Sequence, residues 1–171
     1  THRLGAMILR SDWDGLVAEM LGASGSWFPA HQRSQREAFD AGQFDEAIKG
    51  WGRRDVAERS MARAIAKGRS SADAVRTVSR HMRTFWVSAL QSSIFNHLLE
   101  ERLAASTVDQ LQLGDVAFRH ENRKSFLADA AMMAAEDQQA RVDSWEISPA
   151  GPILGPGMPQ TTGIVLDAER K

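Results

Sequence analysis

Basic residues cluster in one stretch of this sequence. Nine of them lie between positions 51 and 83, where only three acidic residues accompany them, so the stretch carries a local charge of +6. Six of the nine fall into two runs at helical spacing, which are Arg59, Arg63 and Lys67, and then Arg76, Arg80 and Arg83. On helices, each run forms a stripe of cations about 6 Å apart that can follow nucleic-acid phosphates. A solvated helix face that binds nothing has the same pattern, so both interpretations stay open.

Aromatic residues flank the basic stretch. Trp51 precedes it, and Phe85 and Trp86 follow it. Aromatic rings stack on unpaired bases, which would fit a nucleic-acid surface, although aromatic residues at helix ends more often belong to the core. The sequence does not choose between these two roles.

Residue patterns for other chemistry are missing from the sequence. The five histidines do not fall at metal-ligand spacings, and the chain has no cysteine to supply a thiolate. The glycines from Gly151 to Gly157 are not followed by the Lys-Ser/Thr pair of a phosphate-binding loop, and no serine lies in a nucleophile-elbow pattern. We therefore expect no metal site, no cofactor and no catalytic group of the hydrolase type.

The chain as a whole has the size and composition of one globular domain. Its 171 residues can bury a core without disulfides, and the absence of cysteine is compatible with a reducing compartment. No run of about 18 apolar residues predicts a membrane helix. We expect a cytoplasmic protein that does not associate with a membrane. The net charge of -1 hides an acidic region after residue 100, opposite in sign to the basic stretch.

The elements that position these residues change in character along the chain. Capping-box patterns at Ser11-x-x-Asp14 and Ser70-x-x-Asp73 predict helix starts, whereas Gly42 and Gly68 predict helix ends. After Ala105, "QLGDVAFRH" predicts a short strand or hairpin arm, and "AAMMAAEDQQARV" is helical by propensity. The following "SWEISPAGPILGPGMPQTTG" begins as a strand and becomes a loop rich in proline and glycine, either a linker or a docking segment. The expected fold class is α+β and predominantly helical, with a helical N-terminal half followed by a small mixed sheet and helix.

Residues 85–103, "FWVSALQSSIFNHLLEERL", predict a long apolar core helix that contains several polar side chains. Gln91 and Asn96 are the most notable of these. A structural explanation is that their amides satisfy backbone groups of an adjoining loop, because an unpartnered buried amide costs about 1 to 3 kcal/mol. The functional alternative is that both residues line a binding cleft or contact another domain.

The same helix carries a resemblance to a known family. It is similar to the S-A-x-[RQ]-S-x-[LI]-[FW]-N helix of the TruD-type tRNA pseudouridine synthases, and three further matches occur in the family's order. "RLGAMILRSDWDGLVAEML" resembles the segment after the family's N-Y-F-x-x-Q-R-F-G motif, "LGDVAF" resembles its G-D-V segment, and "EISPAGPILGPGM" resembles its P-T-G-P-L-x-G loop. The match covers most of the chain, with residues 27–83 matching only loosely.

The resemblance implies an activity and a substrate. Members of this family isomerise a uridine in the D arm of tRNA, of the uridine-13 type, to pseudouridine without a cofactor. Their essential aspartate lies in a G-x-K-D motif, which this chain lacks, as it lacks N-Y-F-x-x-Q-R-F-G. We therefore expect the chain to be the TRUD insertion domain of a longer protein, inactive alone, with tRNA and the remaining catalytic domain as partners. No catalytic residue carries over to a position here.

The sequence thus leads to a division into two parts and to three possible functions. We expect residues 1–84 to form the helical part and residues 85–171 to hold the motif helix and the small α+β part, together as one compact unit. The favoured function is a tRNA-binding part of a pseudouridine synthase. A stand-alone RNA-binding module and a helical protein-interaction domain remain as alternatives.

Overall fold

The computed structural model describes residues 1–153 and 155–170. The chain forms two compact units, Thr1–Leu90 and the remainder from Gln91 onward. The first unit is helical throughout its described elements. These are α1 (His2–Leu9), α2 (Trp13–Leu21), a 3-10 turn (Ala30–Gln32), α3 (Arg33–Asp40), α4 (Phe44–Gly50), α5 (Val56–Ala66), α6 (Ser71–Arg76) and the start of α7 (Arg80–Ala104).

The core of the first unit collects one apolar face from each of these helices. Its largest fully buried side chains include Leu16, Leu21, Trp51 and Met61. Many of the remaining core residues are alanines on α4, α5 and α6, which allow the short helices to approach one another closely. At Gly5 the approach is closest, since a Cβ there would lie 2.2 Å from the carbonyl oxygen of Trp86.

A buried arginine, Arg36 of α3, contacts the end of α2 and the segment that follows it. Arg36 is only 4% exposed, and its guanidinium donates to the carbonyl oxygens of Glu19 at 3.1 Å and Gly22 at 2.8 Å. The same guanidinium lies 4.3 Å from the ring centroid of Phe28. Burial lowers the pKa of Arg36, and nearby carboxylates, Glu58 first, oppose that effect. The cation therefore replaces its lost water with carbonyl oxygens and an aromatic face.

The cap predicted at Ser70 is confirmed, whereas the cap predicted at Ser11 is wrong. The Ser70 hydroxyl accepts from the N–H of Asp73 at the start of α6. Ser11 instead has a positive φ of 55° and follows the C-cap of α1, where its N–H donates to Ile8. Asp12 caps α2 by accepting from the N–H of Gly15. Only one residue can cap a helix, and Ser11 is occupied by closing the preceding one.

The predicted helix ends at Gly42 and Gly68 are confirmed. Both glycines have positive φ values, 74° and 72°, and lie directly after the C-cap residues of α3 and α5. Each helix closes with the pair of hydrogen bonds of a Schellman motif, for example Gly42 N–H to Phe39 and Gln43 N–H to Ala38.

The predicted helix at residues 85–103 is present, but α7 begins five residues earlier than predicted and is not a core helix. It runs for 25 residues, and Trp86 is its one buried residue. Phe85 and Leu103 are more than half exposed. Ser88, Ser92 and Asn96 are exposed to solvent, so these three polar side chains of α7 need no buried hydrogen-bond partner. The division between the two units falls inside this helix.

The second unit contains the small sheet that the sequence predicted. Its described elements after α7 are β1 (Val116–Arg119), β2 (Lys124–Leu127), α8 (Ala130–Met133), α9 (Gln138–Asp143), β3 (Ile147–Pro149) and α10 (Gly163–Glu169). The strand order is β2-β1-β3, and Ala117 pairs with Phe126 on one side and Pro149 on the other. The core on one face of the sheet consists of Leu111, Ala117, Val142 and Ile147.

The predominantly helical α+β class is confirmed, with two differences in detail. Both strand pairings are antiparallel rather than mixed, because a tight turn joins β1 to β2 and β3 returns along the other edge of β1. The single helix predicted for "AAMMAAEDQQARV" is two short helices, α8 and α9, separated by residues 134–137. The Ala134 N–H donates to Ala130 at the end of α8, so helix propensity did not make the segment one continuous helix.

A buried ion pair organises the second unit. Asp115 is 1% exposed, and its carboxylate accepts from Arg102 at 3.1 and 2.7 Å and from the N–H of Gln112 at 2.7 Å. Arg102 also donates to the carbonyl oxygen of Gln110 at 3.3 Å. Gly114 precedes the pair with φ at +94°, and a Cβ there would lie 2.2 Å from the carbonyl oxygen of Thr162. The "LGD" segment therefore has a structural role, because its aspartate is held by Arg102 and its glycine allows close contact with Thr162.

Replacing Asp115 with alanine tests this role. The change leaves the Arg102 guanidinium and the Gln112 N–H without their acceptor, and breaking a buried pair on one side typically costs 3 to 5 kcal/mol. Because Arg102 keeps some exposure, we expect a loss of about 3 kcal/mol in unfolding free energy, measured by urea denaturation. Asp109→Ala at an exposed position is the control and should change stability by less than about 0.5 kcal/mol. Equal stability of both variants would contradict the role of the pair.

Candidate nucleic-acid interface

The first predicted stripe lies on the outward face of α5. Met61, Ala62 and Ala64 of this helix are buried, which turns the opposite face to solvent. Arg63 and Lys67 on that face are exposed, Lys67 as the C-cap residue. Arg59 is only half-exposed. Two of the three predicted residues therefore present their charge freely to a partner.

The second stripe spans two helices rather than one. Arg76 ends α6, Arg80 begins α7 and Arg83 follows within the first turn of α7. Arg76 and Arg80 are exposed, and Arg83 is half-exposed. Thr77, Val78 and Ser79 separate the two helices, and the Ser79 hydroxyl accepts from the N–H of Met82 at 3.2 Å. The helical spacing predicted from the sequence does not hold across this break.

One of these cations is already paired. Arg76 donates at 2.9 Å to the carboxylate of Asp73, which is one of the three acidic residues of the basic stretch. Hydrogen bonds from the Ser70 hydroxyl and then from Arg76 hold the pKa of Asp73 below its usual value. Asp73 is therefore ionised at neutral pH and offsets part of the positive charge of α6.

Sequence reasoning missed Arg69 as part of the same surface. Arg69 and Arg76 line an open depression of about 360 Å³ together with Asp73 and Thr77. Arg69 follows the helix end at Gly68, so helical periodicity excluded it from either stripe. Its proximity to Arg76 arises because α5 and α6 pack against each other. A depression that is rimmed by two guanidinium groups can hold one anionic oxygen group.

The flanking aromatic residues divide between core and surface. Trp51 is 2% exposed and Trp86 is 4% exposed, so both belong to the core of the first unit. Phe85 is 55% exposed and is the one of the three that can meet a partner. The core interpretation is therefore correct for both tryptophans.

Gln91 and Asn96 differ in their surroundings. Gln91 is half-buried and its side chain lies near Gly155 of the proline-rich loop. Asn96 is exposed, and its side chain forms no hydrogen bond with any residue that the structure describes. The argument from the cost of a buried amide therefore does not apply to Asn96. Its role as a cleft or domain-contact residue stays a prediction.

Two of the family-like motifs, the helix and the proline-rich loop, line a cavity of about 150 Å³ in the second unit. Phe95 and Arg102 of α7 line it, together with Gly151 of the loop and Gln112, which directly precedes the "LGDVAF" segment. A Cβ on Gly151 would lie 2.4 Å from the Phe95 ring, so only glycine allows the loop to pass this closely. Part of the proline-rich loop therefore packs on the motif helix. Leu154 in the middle of that loop lies outside the described residues.

Across residues 1–153 and 155–170, no three His, Asp or Glu side chains are grouped as metal ligands. No described helix is long and apolar enough to cross a membrane.

The fold and this surface define a helical-rich α+β domain with a cationic face, a class of domain suited to a polyanionic partner. The family model of tRNA pseudouridine synthase D (TruD) matches residues 1–171. The tRNA pseudouridine synthase D of Geobacter sp. (strain M21) is 32% identical over 172 residues, covering all of this chain and 42% of that protein. The protein of the same name from Geotalea daltonii is 31% identical with the same coverage. The chain belongs to the TruD family, which confirms the resemblance of its motifs.

A solved structure shares the fold. A TruD crystal structure from Methanosarcina mazei superposes with a TM-score of 0.80 and 20% identity, covering 99% of this chain and 40% of that one. At this identity the match shows the fold alone. The chain spans about two-fifths of the length of the curated relatives and of this structure.

Glu58 lies beside Arg59 on α5 and gives a pH-dependent prediction. Burial, and then the negative charge of Asp55, raise the pKa of Glu58 above its usual value of 4.5. The folded state therefore holds this proton more tightly than the unfolded state, and stability is lost as pH rises from 4.5 through the raised pKa. Glu58→Gln removes this dependence. In urea denaturation from pH 4 to 7, we expect the variant to gain stability relative to wild type as pH rises. Parallel profiles would contradict the raised pKa.

Proposed function

We propose that this chain is part of a tRNA pseudouridine synthase that isomerises uridine in the D arm of tRNA, at the uridine-13 position. The observation that carries the proposal is the TruD family match over residues 1–171, together with relatives that bear the name tRNA pseudouridine synthase D. Such an enzyme acts in the cytoplasm on tRNA and needs no cofactor. The uridine position rests on the family resemblance.

Within that enzyme, we assign the chain to the tRNA-binding cleft. Exposed cations on α5, α6 and α7 supply the charge that phosphates require, and Arg63, Lys67 and Arg80 make no ion pair with any described residue. Asn96, and with it Gln91, would line the cleft or contact the rest of the parent protein. The surface binds backbone phosphates, so it contributes affinity more than sequence discrimination.

The catalytic carboxylate would come from outside these residues. None of the four lysines is followed by aspartate, so no G-x-K-D motif is present. Asp115 directly follows a glycine, but its carboxylate is buried and forms an ion pair with Arg102. A carboxylate in this state cannot approach a uridine without breaking its ion pair. The chain by itself should therefore make no pseudouridine.

An activity assay tests the first part of the proposal. Chain 1–171 is incubated with a tRNA transcript that contains the D-arm uridine, and pseudouridine is measured by nucleoside analysis. We expect no pseudouridine from the chain alone, whereas a full-length relative such as the Geobacter protein should produce it. Pseudouridine made by the chain alone would contradict the assignment of the carboxylate to another part of the protein.

Charge reversal tests the binding face. We expect Arg76→Glu, Arg80→Glu and Arg83→Glu in one variant to weaken tRNA binding by at least tenfold at low salt, because each lost phosphate contact also removes counterion release. Filter binding at several salt concentrations gives both the affinity and the salt slope, which should become less steep in the variant.

A matched control carries the same change in net charge. Arg10, Arg33 and Lys49 are exposed cations of the same unit that lie outside the basic stretch. Reversal of these three should lower affinity much less than reversal of the binding face. Equal losses of tRNA affinity in the two variants would indicate a general charge effect and would contradict the assignment of Arg76, Arg80 and Arg83 to a binding face. No tRNA binding by folded wild-type chain would favour a protein-interaction domain.

Asp73→Asn gives a prediction of opposite sign. The change removes the carboxylate that pairs with Arg76 and leaves the guanidinium available to phosphate. Because an exposed pair is weak, we expect a modest gain of about twofold in tRNA affinity and a steeper salt slope. The same filter-binding assay measures it. A loss of affinity would mean that Asp73 positions Arg76 productively instead of competing with the ligand.

A further inference from the structure

An exposed tryptophan occupies a backbone position that normally requires glycine. Trp145 has φ at +60° and lies directly after the C-cap residue Ser144 of α9. Its N–H donates to Val142, and the N–H of Glu146 donates to Arg141, which together form a Schellman motif. The left-handed conformation at this position suits glycine and is unfavourable for a bulky residue.

The other helix ends of the same geometry show how unusual this choice is. Glycine or serine occupies the corresponding position after α1, α3, α5 and α7, namely Ser11, Gly42, Gly68 and Ser106. Trp145 is also 73% exposed, so burial of its indole does not offset the backbone strain. A strained residue that contributes little to the core is a candidate for a binding role.

The indole belongs to a row of aromatic rings on the sheet. The His120 ring lies 6.0 Å from the Trp145 ring and 5.2 Å from the Phe118 ring, measured between centroids, with near-perpendicular planes. Two contacts hold His120 in place. The ring Nε2 of His120 is 3.0 Å from the Ser148 hydroxyl, and the backbone N–H of His120 donates to the carbonyl oxygen of Glu146 at 3.1 Å. The row is therefore anchored at β1 and β3 and ends at the exposed indole.

Cations lie at one end of the sheet, in and beside the β1–β2 turn that begins at His120. Arg119, Arg123 and Lys124 lie in or beside the β1–β2 turn, with Glu121 as the one acid of that turn. None of the three cations forms an ion pair with any residue that the structure describes. Arg141 nearby is different, because it is paired with Glu146 at 2.7 Å. Because Arg119 lies over the Phe126 ring at 5.4 Å, the available positive charge of this turn comes from the exposed Arg123 and Lys124.

We propose that Trp145, with His120 beside it, is a stacking platform for an unpaired nucleotide of the RNA, and that Arg123 and Lys124 hold the adjoining phosphates. Exposed aromatic rings bind any base by stacking, and cations beside them track the backbone. The positive turn complements a polyanion and not a neutral protein surface. This inference rests on the proposed function, because it takes RNA as the partner, and it adds a contact surface in the second unit.

Substitutions at Trp145 separate stacking from folding. Trp145→Gly removes the ring and places the favoured residue at the left-handed position, so the thermal midpoint should stay equal or rise. Binding of a fluorescently labelled oligouridylate should weaken at least about fivefold at low salt, the loss expected for one stacked base. Trp145→Phe keeps an aromatic face and should retain most of the affinity. Trp27→Ala is the control, because Trp27 is 82% exposed and makes no ring contact with described residues.

Tryptophan fluorescence gives an independent readout. Addition of unlabelled oligouridylate should quench part of the emission of the wild-type chain, and that part should be missing in Trp145→Phe. Unchanged oligouridylate affinity in Trp145→Gly, or an equal loss in Trp27→Ala, overturns the platform. Lack of oligouridylate binding by the wild type also overturns it.

The same variants distinguish this inference from the proposed function. If tRNA binding persists and remains sensitive to Arg76, Arg80 and Arg83 while Trp145→Gly has no effect, the platform is wrong and the binding face stands. If the wild-type chain binds neither tRNA nor oligouridylate, both fail, and the aromatic row becomes a surface for another protein.

Discussion

The ion pair between Arg102 and Asp115 is the interaction on which the second unit depends. A carboxylate that is 1% exposed requires partners for its oxygens, and it finds them in the last turns of α7 and in the loop that precedes β1. This requirement fixes where the sheet starts relative to the helix within that unit. The glycine before Asp115 and the glycine beside Phe95 then allow two loops to approach closely. The motifs of this unit that resemble those of the TruD family thus contribute to its packing.

The first unit separates its charges from its core by a different means. Its short helices bury mainly alanine and leucine, so their backbones lie close together and their long cationic side chains have no space except outward. Arg36 is the exception, because carbonyl oxygens and the Phe28 ring replace its water. Most of the remaining cations of this unit are exposed, and nine of them lie between positions 51 and 83. Such a surface attracts a polyanion over a distance of about a Debye length, roughly 8 to 10 Å at physiological salt.

The two proposed contact surfaces, the helix cations and the Trp145 platform, would contribute differently to RNA binding. Arginine and lysine on helices supply attraction that is insensitive to base identity, whereas an exposed ring supplies a contact that only an unstacked base can use. An enzyme that acts on one uridine must bring that base out of its stack, so a surface that binds unpaired nucleotides would suit such an enzyme. The backbone strain at Trp145 is consistent with such a use, because stability alone would favour glycine there.

The sequence by itself determined the helical N-terminal half, the ends at Gly42 and Gly68, the cap at Ser70, the strand around Val116 and the family, because these depend on local spacing and on short motifs. Tertiary structure decided the rest. The exposure of α7, the addition of Arg69 to the basic surface and the roles of Asp115 and Trp145 all involve contacts or backbone angles that no residue pattern encodes. The pairing of Arg76 with Asp73, by contrast, has the i, i+3 spacing that places two side chains on one helix face. Periodicity tells which residues share a helix face, but packing between elements determines what that face meets.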